Sequence, residues 1–296
     1  MTAANVTAAV AFGAQQIGAS AELAANARRD AELLLRFVLQ CPRAELLANP
    51  RRELTAQQGE HFNRVVAERA AGKPIQYITG TQEFWGLELA VTPAVLIPRP
   101  ETEHLVESAL ALLPHDRALR VIDVGTGSGA IAIAIAHERP LVRVTAIDSS
   151  PAALDVACAN AARHRLAGRI EFVEADLLSG VDSASCEMIV SNPPYVAMTE
   201  RASLSIEVRE HEPPAALFSG ATGYEVYERL LPQAMRALKP EGWLLLEIGC
   251  GQQAKLRDML AEHGYAATRF VDDLQGIPRV AIAQKPSQAE PRPSPR

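Results

Sequence analysis

Val121-Ile122-Asp123-Val124-Gly125-Thr126-Gly127-Ser128-Gly129 carries an apolar strand into a glycine-rich turn, and the next residues, Ala130 to Ala136, are all apolar. A buried strand that passes through such a turn into a helix is where a parallel-sheet protein holds a nucleotide-like ligand. The glycines let the backbone approach that ligand closely. A dinucleotide site requires G-x-G-x-x-G, so that a diphosphate meets the helix N-terminus. Here the spacing is G-x-G-x-G and the acidic Asp123 stands just before the loop, which disfavours a diphosphate and favours a cation. The sulfonium and ammonium groups of S-adenosylmethionine fit that field. Asp123, Gly125, Thr126, Gly127, Ser128 and Gly129 are therefore candidate cofactor residues.

Strand and helix patterns alternate on either side of this stretch. Strands are expected at Arg120–Val124, Val142–Ile147, Ile170–Val173, Met188–Ser191 and Trp243–Ile248, with helices near Gly129–His137, Pro151–His164, Tyr224–Leu238 and Gln252–His263. Such βαβ repetition predicts a parallel sheet covered by helices on both faces. Two last strands, Ala266–Val271 and Pro278–Ala283, are too close for a crossover helix and should pair antiparallel. The fold class is α/β, a doubly wound, seven-stranded, mostly parallel sheet. Asp148 ends the second strand, where a carboxylate can accept both hydroxyls of a ribose. Asp176, with Leu177 beside it, follows the third and is placed to meet the adenine. Either acid alone could equally cap a helix, but their positions at successive strand ends favour ligand binding. Gly249-Cys250-Gly251 lacks a third glycine and a downstream acid, and reads as a tight turn.

Asn192-Pro193-Pro194-Tyr195 follows the fourth strand. Each proline pushes the residue before it out of the helical region, so the backbones of Asn192 and Pro193 are doubly restricted. The side-chain oxygen of Asn192 and the carbonyl of Pro193 are thus fixed acceptors for the two N–H protons of an amide or exocyclic amine, and Tyr195 can stack on its plane. Proline punctuation explains the turn but leaves the asparagine and tyrosine unexplained.

The chain has 296 residues, 29 Lys+Arg against 35 Asp+Glu and a formal charge of -6, which argues against a surface made to hold free nucleic acid. Its four cysteines form no C-x-x-C pair, so a metal site and a disulfide framework are not indicated. They read as reduced thiols of a cytoplasmic protein, with no secretory signal and no membrane span. Residues 1–72 carry helical periodicity, as in Leu23, Ala27, Ala31, Leu34, Leu35 and Val38, and Thr55 opens another helix that Gly72 closes. The expected organisation is a helical domain at 1–72, a β-hairpin connector at 73–98 that includes Tyr77-Ile78, a catalytic domain at 99–284 and a disordered tail at 285–296. Glu207, Glu210, His211 and Glu212 read as a solvated loop.

These residues resemble the release factor glutamine methyltransferases, the PrmC/HemK family. The likeness rests on Asp30-Ala31-Glu32-Leu33-Leu34-Leu35, on Pro74-Ile75-Gln76-Tyr77-Ile78-Thr79-Gly80 with Glu83-Phe84, and on Ile97-Pro98-Arg99-Pro100-Glu101-Thr102-Glu103. The Asp123 to Gly129 loop, Asn192 to Tyr195 and the closing Gly276 with Arg279-Val280 complete it. The resemblance implies a class I S-adenosylmethionine-dependent methyltransferase with an N-terminal helical domain that helps grip the substrate. It further implies methyl transfer to the N5 nitrogen of the glutamine in a Gly-Gly-Gln loop of class 1 peptide chain release factors. On that reading Asn192, Pro193 and Tyr195 are catalytic, Asn192 also touches the cofactor, and Arg99, Asn192, Pro193, Pro194 and Tyr195 meet the substrate. A monomer is expected, without direct DNA binding.

Four alternatives compete. A ribosomal-protein glutamine methyltransferase would use the same chemistry and differs only in the helical domain and connector. A nucleic-acid amine methyltransferase shares the tetrapeptide, and the acidic charge weighs against it. A non-catalytic binding module would not need an intact Asn192 to Tyr195, and an NAD-dependent dehydrogenase would show a dinucleotide-spaced loop.

Overall fold

Thr55 and Gln58 satisfy each other at the start of one helix. The Thr55 hydroxyl accepts from the Gln58 N–H at 3.2 Å, and the Gln58 side-chain oxygen accepts from the Thr55 N–H at 3.0 Å, which pairs two of the donors a helix start leaves open. The computed structural model describes residues 5–287. This helix is the fourth of the series α1 (Val6–Ile17), α2 (Ala27–Leu39), α3 (Arg43–Ala48), α4 (Ala56–Ala70) and α5 (Ile75–Thr79). Their apolar stripes meet around Ile17, Leu34, Leu35 and Phe62, all fully buried. Gly13 lets α1 approach: a Cβ there would lie 2.9 Å from Phe62 Cζ and 3.0 Å from the Ala31 Cβ.

Tyr77 and Ile78 lie in α5, not in extended chain. Pro74 precedes the turn, Gly80 ends it in the left-handed region, and Tyr77 is buried, so tertiary burial overrides strand propensity. The hairpin begins afterwards, with β1 (Thr81–Phe84) and β2 (Leu87–Ala90). Its two turn residues, Trp85 and Gly86, both have positive φ, 55° and 68°, which suits the right-handed twist of the strands.

The sheet comprises β3 (Arg120–Val124), β4 (Arg143–Asp148), β5 (Ile170–Glu174), β6 (Cys186–Ser191), β7 (Leu238–Glu247), β8 (Ala266–Asp272) and β9 (Pro278–Gln284), in the order β5-β4-β3-β6-β7-β9-β8. Strands β5, β4, β3, β6 and β7 run parallel, and β9 pairs antiparallel with both β7 and β8. The helices are α6 (Glu103–Leu112), α7 (Ala130–Glu138), α8 (Pro151–Arg163), α9 (Ile206–His211), α10 (Pro214–Leu217), α11 (Glu225–Ala237) and α12 (Gln253–Glu262). Strand alternation sends Val121 and Leu245 toward α6 and α7, and Ile122, Val124, Leu244 and Leu246 toward α11 and α12. Ala130 to Ala136 of α7 are buried throughout, as a helix apolar all round must be.

The chain divides into two compact units. One is built from the chain up to Thr81 together with Ala202–Glu212, the other from Gln82–Arg201 and the chain from Pro213 onward. The boundary expected near residue 72 falls after Thr81 in this division. The Glu207 to Glu212 stretch is not a solvated loop: α9 belongs to the helical unit, where Glu207 meets Arg69 at 3.0 Å and Glu212 is buried. Arg69 itself is 3% exposed, and its Nε donates to the buried Asp30 at 2.7 Å. Ile206 packs against Gly72 of the same unit. The tail expected from residue 285 lies mostly outside the described residues, while Lys285 is in place and donates its N–H to the Gly242 carbonyl at 2.8 Å. Among the described residues, no helix is long and apolar enough to cross a membrane.

Candidate active site

Strands β3 and β6 are neighbours, with Val124 opposite Ser191. The chain goes from β3 out to β4 and β5 and returns to β6, so the crevice past their C-terminal ends is the switch point at which an open α/β sheet binds ligands. The glycine loop and the Asn192 to Tyr195 turn both leave the sheet there. The Ser191 hydroxyl donates to the Val124 carbonyl at 2.7 Å and ties the two strand ends together.

The loop after β3 is docked on β4. The Gly125 and Thr126 N–H groups both donate to the Ile147 carbonyl, at 2.8 and 2.9 Å, and the Gly127 N–H donates to Asp148 Oδ2 at 2.9 Å. Gly125 and Gly127 have φ of 71° and 55°, and a Cβ on either would meet nothing within 4 Å. Gly129 faces inward, where a Cβ would come within 3.1 Å of Ala157. Asn160, fully buried on α8, donates to the Ser128 carbonyl at 2.9 Å and to the Ala90 carbonyl at 3.0 Å, which fastens the loop to the hairpin.

Asp123 lies under this loop and is fully buried. Its Oδ2 accepts from the Thr126 hydroxyl at 2.6 Å and the Ala132 N–H at 3.2 Å, while Oδ1 finds no hydrogen-bond partner among the described residues. Burial pushes its carboxyl up to about 7, the two hydrogen bonds oppose that rise, and the charge of Asp148 adds to it.

On the β6 side, Asn192 Nδ2 donates to Thr102 Oγ1 at 3.2 Å, and the Thr102 hydroxyl donates to Glu247 Oε2 at 2.6 Å. Because the Thr102 proton is committed to the carboxylate, its oxygen is an acceptor only, and the Asn192 amide must present its NH2 to it. The Asn192 side-chain oxygen is left to accept from elsewhere. The Tyr195 hydroxyl faces Glu247 Oε1 at 3.4 Å, and the Tyr195 carbonyl accepts from Gln252 Nε2 at 3.1 Å. Glu247 ends β7 and is 2% exposed.

A cavity of about 310 Å³ opens over these loops. Of the residues singled out in the sequence, Arg99, Gly125, Thr126, Gly127, Ser128, Asp148, Asp176, Leu177, Asn192 and Pro194 line it. Asp123, Gly129, Pro193 and Tyr195 do not: Asp123 and Gly129 support the loop from beneath, Pro193 is buried and Tyr195 leans on Glu247. Asp176 is exposed and ion-paired with Arg229 of α11. Sequence reasoning missed Thr102, Glu247, Gln252 and Asn160 as parts of the site. A signal existed for Glu247, a single acid in the apolar run Leu244-Leu245-Leu246-Glu247-Ile248, since a charge inside a buried strand demands a partner or a task.

The strand order, the glycine loop on β3 and the acid at the end of β4 define a class I methyltransferase. Residues 104–209 match the methyltransferase small domain and residues 15–80 the PrmC N-terminal domain. The chain is 47% identical over 261 residues to the release factor glutamine methyltransferase of Koribacter versatilis, an alignment that covers 88% of this chain and 92% of that one. It is 44% identical over 259 residues to the release factor glutamine methyltransferase of Xylella fastidiosa, with 88% and 94% covered. In fold alone it is similar to the hMettl16 catalytic domain solved with the MAT2A 3'UTR hairpin, with a TM-score of 0.57 at 16% identity and with 76% and 84% of the two chains covered. The chain belongs to the release factor glutamine methyltransferase family.

Proposed function

We propose that this protein transfers a methyl group from S-adenosylmethionine to the side-chain amide nitrogen of the glutamine in the Gly-Gly-Gln loop of class 1 peptide chain release factors, in the cytoplasm. The names of its relatives support that substrate. The observation that carries the chemistry is the Asn192 amide, whose NH2 is engaged by Thr102 and whose oxygen is thereby left as an acceptor beside the glycine-loop cavity.

The residues present suit the cofactor. The Gly125 and Gly127 positions are open where a side chain would intrude. Asp148 uses one lone pair of each carboxylate oxygen on the Gly127 and Ser150 N–H groups, and the remaining lone pairs are available to ribose hydroxyls. Asp123 places an uncompensated carboxylate behind the loop, a field that suits a cationic ligand. When bound, S-adenosylmethionine supplies an electrophilic methyl group on a positively charged sulfur.

An amide nitrogen is a weak nucleophile because its lone pair is delocalised into the carbonyl. The Asn192 oxygen and the Pro193 carbonyl accept its two N–H groups, orient it, and stabilise the positive charge that grows on nitrogen as the new N–C bond forms and the S–C bond breaks. The Tyr195 ring, which leans on Glu247 and does not line the cavity, supports the turn that carries Asn192. The surplus proton leaves the nitrogen for solvent, and no dedicated base is required. Asn192→Ala should lower the single-turnover rate on a release factor by on the order of 100-fold or more, as loss of a preorganised acceptor does, with cofactor affinity kept. A wild-type rate in that variant would remove Asn192 from the mechanism.

A further inference from the structure

We infer that Glu247 is a positioning residue for this reaction: acting through the Thr102 hydroxyl, it sets which end of the Asn192 amide faces the reaction cleft. The inference rests on the reading of Asn192 as the acceptor of the substrate amide.

The three groups form a directed chain of hydrogen bonds. Glu247 Oε2 takes the Thr102 proton at 2.6 Å, and Thr102 Oγ1 takes an Asn192 Nδ2 proton at 3.2 Å. Thr102 and Glu247 are 4% and 2% exposed, so water does not replace the link between them, while Asn192 is half-buried at the cavity wall. An ionised Glu247 has no proton to give, and the direction of the chain is then imposed from its buried end: carboxylate, hydroxyl, amide NH2, with the amide oxygen outermost. A neutral Glu247 carries a proton that it can donate to Thr102 Oγ1. The Thr102 proton is then released toward Asn192, and the amide is free to turn over and present its NH2 to the cleft. An NH2 repels the substrate N–H groups that the reaction needs accepted.

The groups around the carboxylate make this switch accessible near neutral pH. Tyr195, on the turn after β6, and Tyr227, on α11, contribute only hydroxyls: that of Tyr195 faces Oε1 at 3.4 Å and that of Tyr227 donates to the Glu247 carbonyl at 2.9 Å. From the turn before α6, Glu101 adds negative charge, and from β9 Arg279 adds positive charge that Asp273 shares at 2.9 Å. Burial dominates these influences and pushes the Glu247 carboxyl up to about 7, from an ordinary 4.5. Because its value in the folded protein is raised, Glu247 loses its charge as pH falls through about 7, and with it the imposed direction.

The test is a pH–rate profile from about pH 6 to about pH 9, under single-turnover conditions with saturating S-adenosylmethionine and a release factor substrate. The wild type should show an acid limb centred near the Glu247 value. Thr102→Val cuts the chain while keeping Glu247: it should lower the rate at high pH by about 10- to 100-fold, as misorientation does, and abolish the limb with cofactor affinity unchanged. Thr102→Ser keeps the hydroxyl and should recover both the limb and most of the rate. Glu247→Gln, whose amide can point either way, should give a reduced rate that is flat with pH. Asn192→Ala separates the two claims. If it is inactive while Thr102→Val and Glu247→Gln keep the wild-type rate and limb, Glu247 does not orient Asn192 and the inference is overturned. If Asn192→Ala is itself as active as wild type, the reading of Asn192 fails first.

Discussion

Each unit of this protein buries an aspartate, and the two are treated in opposite ways. Asp30 in the helical unit is 5% exposed and faces the Arg69 guanidinium at 2.7 Å. Asp123 in the sheet unit is fully buried, and among the described residues one of its oxygens has no partner; what acts on it is the Thr126 hydroxyl, the Ala132 N–H and the like charge of Asp148. A buried ion pair is a device of the fold, since each partner exists to neutralise the other. A buried acid left uncompensated costs stability that a fold alone has no reason to bear, so its compensation is expected from a ligand. The difference separates a scaffold from a binding site using the same residue type at the same depth.

The largest effect should come from breaking the pair. Arg69→Met leaves Asp30 buried and alone, and denaturant unfolding should show a loss of about 3–5 kcal/mol. Adding Asp30→Leu should restore most of it, short of what the lost Arg69 contact to Glu207 contributes, and a double variant no more stable than the single one would show that neutralising Asp30 is not the main task of the guanidinium.

The opposite outcome is expected for Asp123. Because its value in the folded chain lies above the ordinary 3.8, the folded protein retains a proton that the unfolded chain has released, and this residue lowers stability as pH rises from about 4 to about 7. The full rise corresponds to roughly 4 kcal/mol, part of which Asp123→Asn would forfeit by burying an NH2 with no acceptor. The net expectation is a protein about 1–3 kcal/mol more stable at pH 8 without ligand, with the pH dependence of that window removed. Affinity for S-adenosylmethionine should fall about tenfold to a hundredfold in the same variant. Unchanged affinity would make Asp123 a scaffold residue and remove the contrast.

The smallest signal is also the most direct. A cation arriving beside Asp123 lowers its carboxyl value, so the wild type at pH 7 should release up to about half a proton per ligand bound. Calorimetric titration in buffers of different ionisation enthalpy measures this, and Asp123→Asn should not show it.

Much of the sheet was legible in the sequence because most of its strands are short apolar runs: Arg120–Val124 was delimited to the residue and five others to within two, while β7 starts at Leu238, five residues before the expected Trp243. The order of chemistry along the chain, with glycine loop, acid and Asn192 turn each at a strand end, was equally readable, because parallel topology places strand C-termini on one edge. What was hidden depends on contacts between distant residues. Thr102 and Glu247 are 145 positions apart and touch only through the fold. Tyr77 has a strand former's side chain, yet its burial puts it in a helix. The acidic residues after Ser205 looked solvated because nothing local reveals that Arg69, far upstream, awaits Glu207.

That last contact bears on how such proteins can be recombined. The chain passes from the helical unit to the sheet unit after Thr81, back after Arg201 and out again after Glu212. A helical domain exchanged between relatives by a single crossover would therefore arrive without its own α9, and the recipient's Ile206 and Glu207 would have to fit a foreign Gly72 and Arg69. Viable chimeras must inherit 202–212 along with the N-terminal segment, and the two stretches behave as one heritable piece despite lying more than a hundred residues apart in the gene.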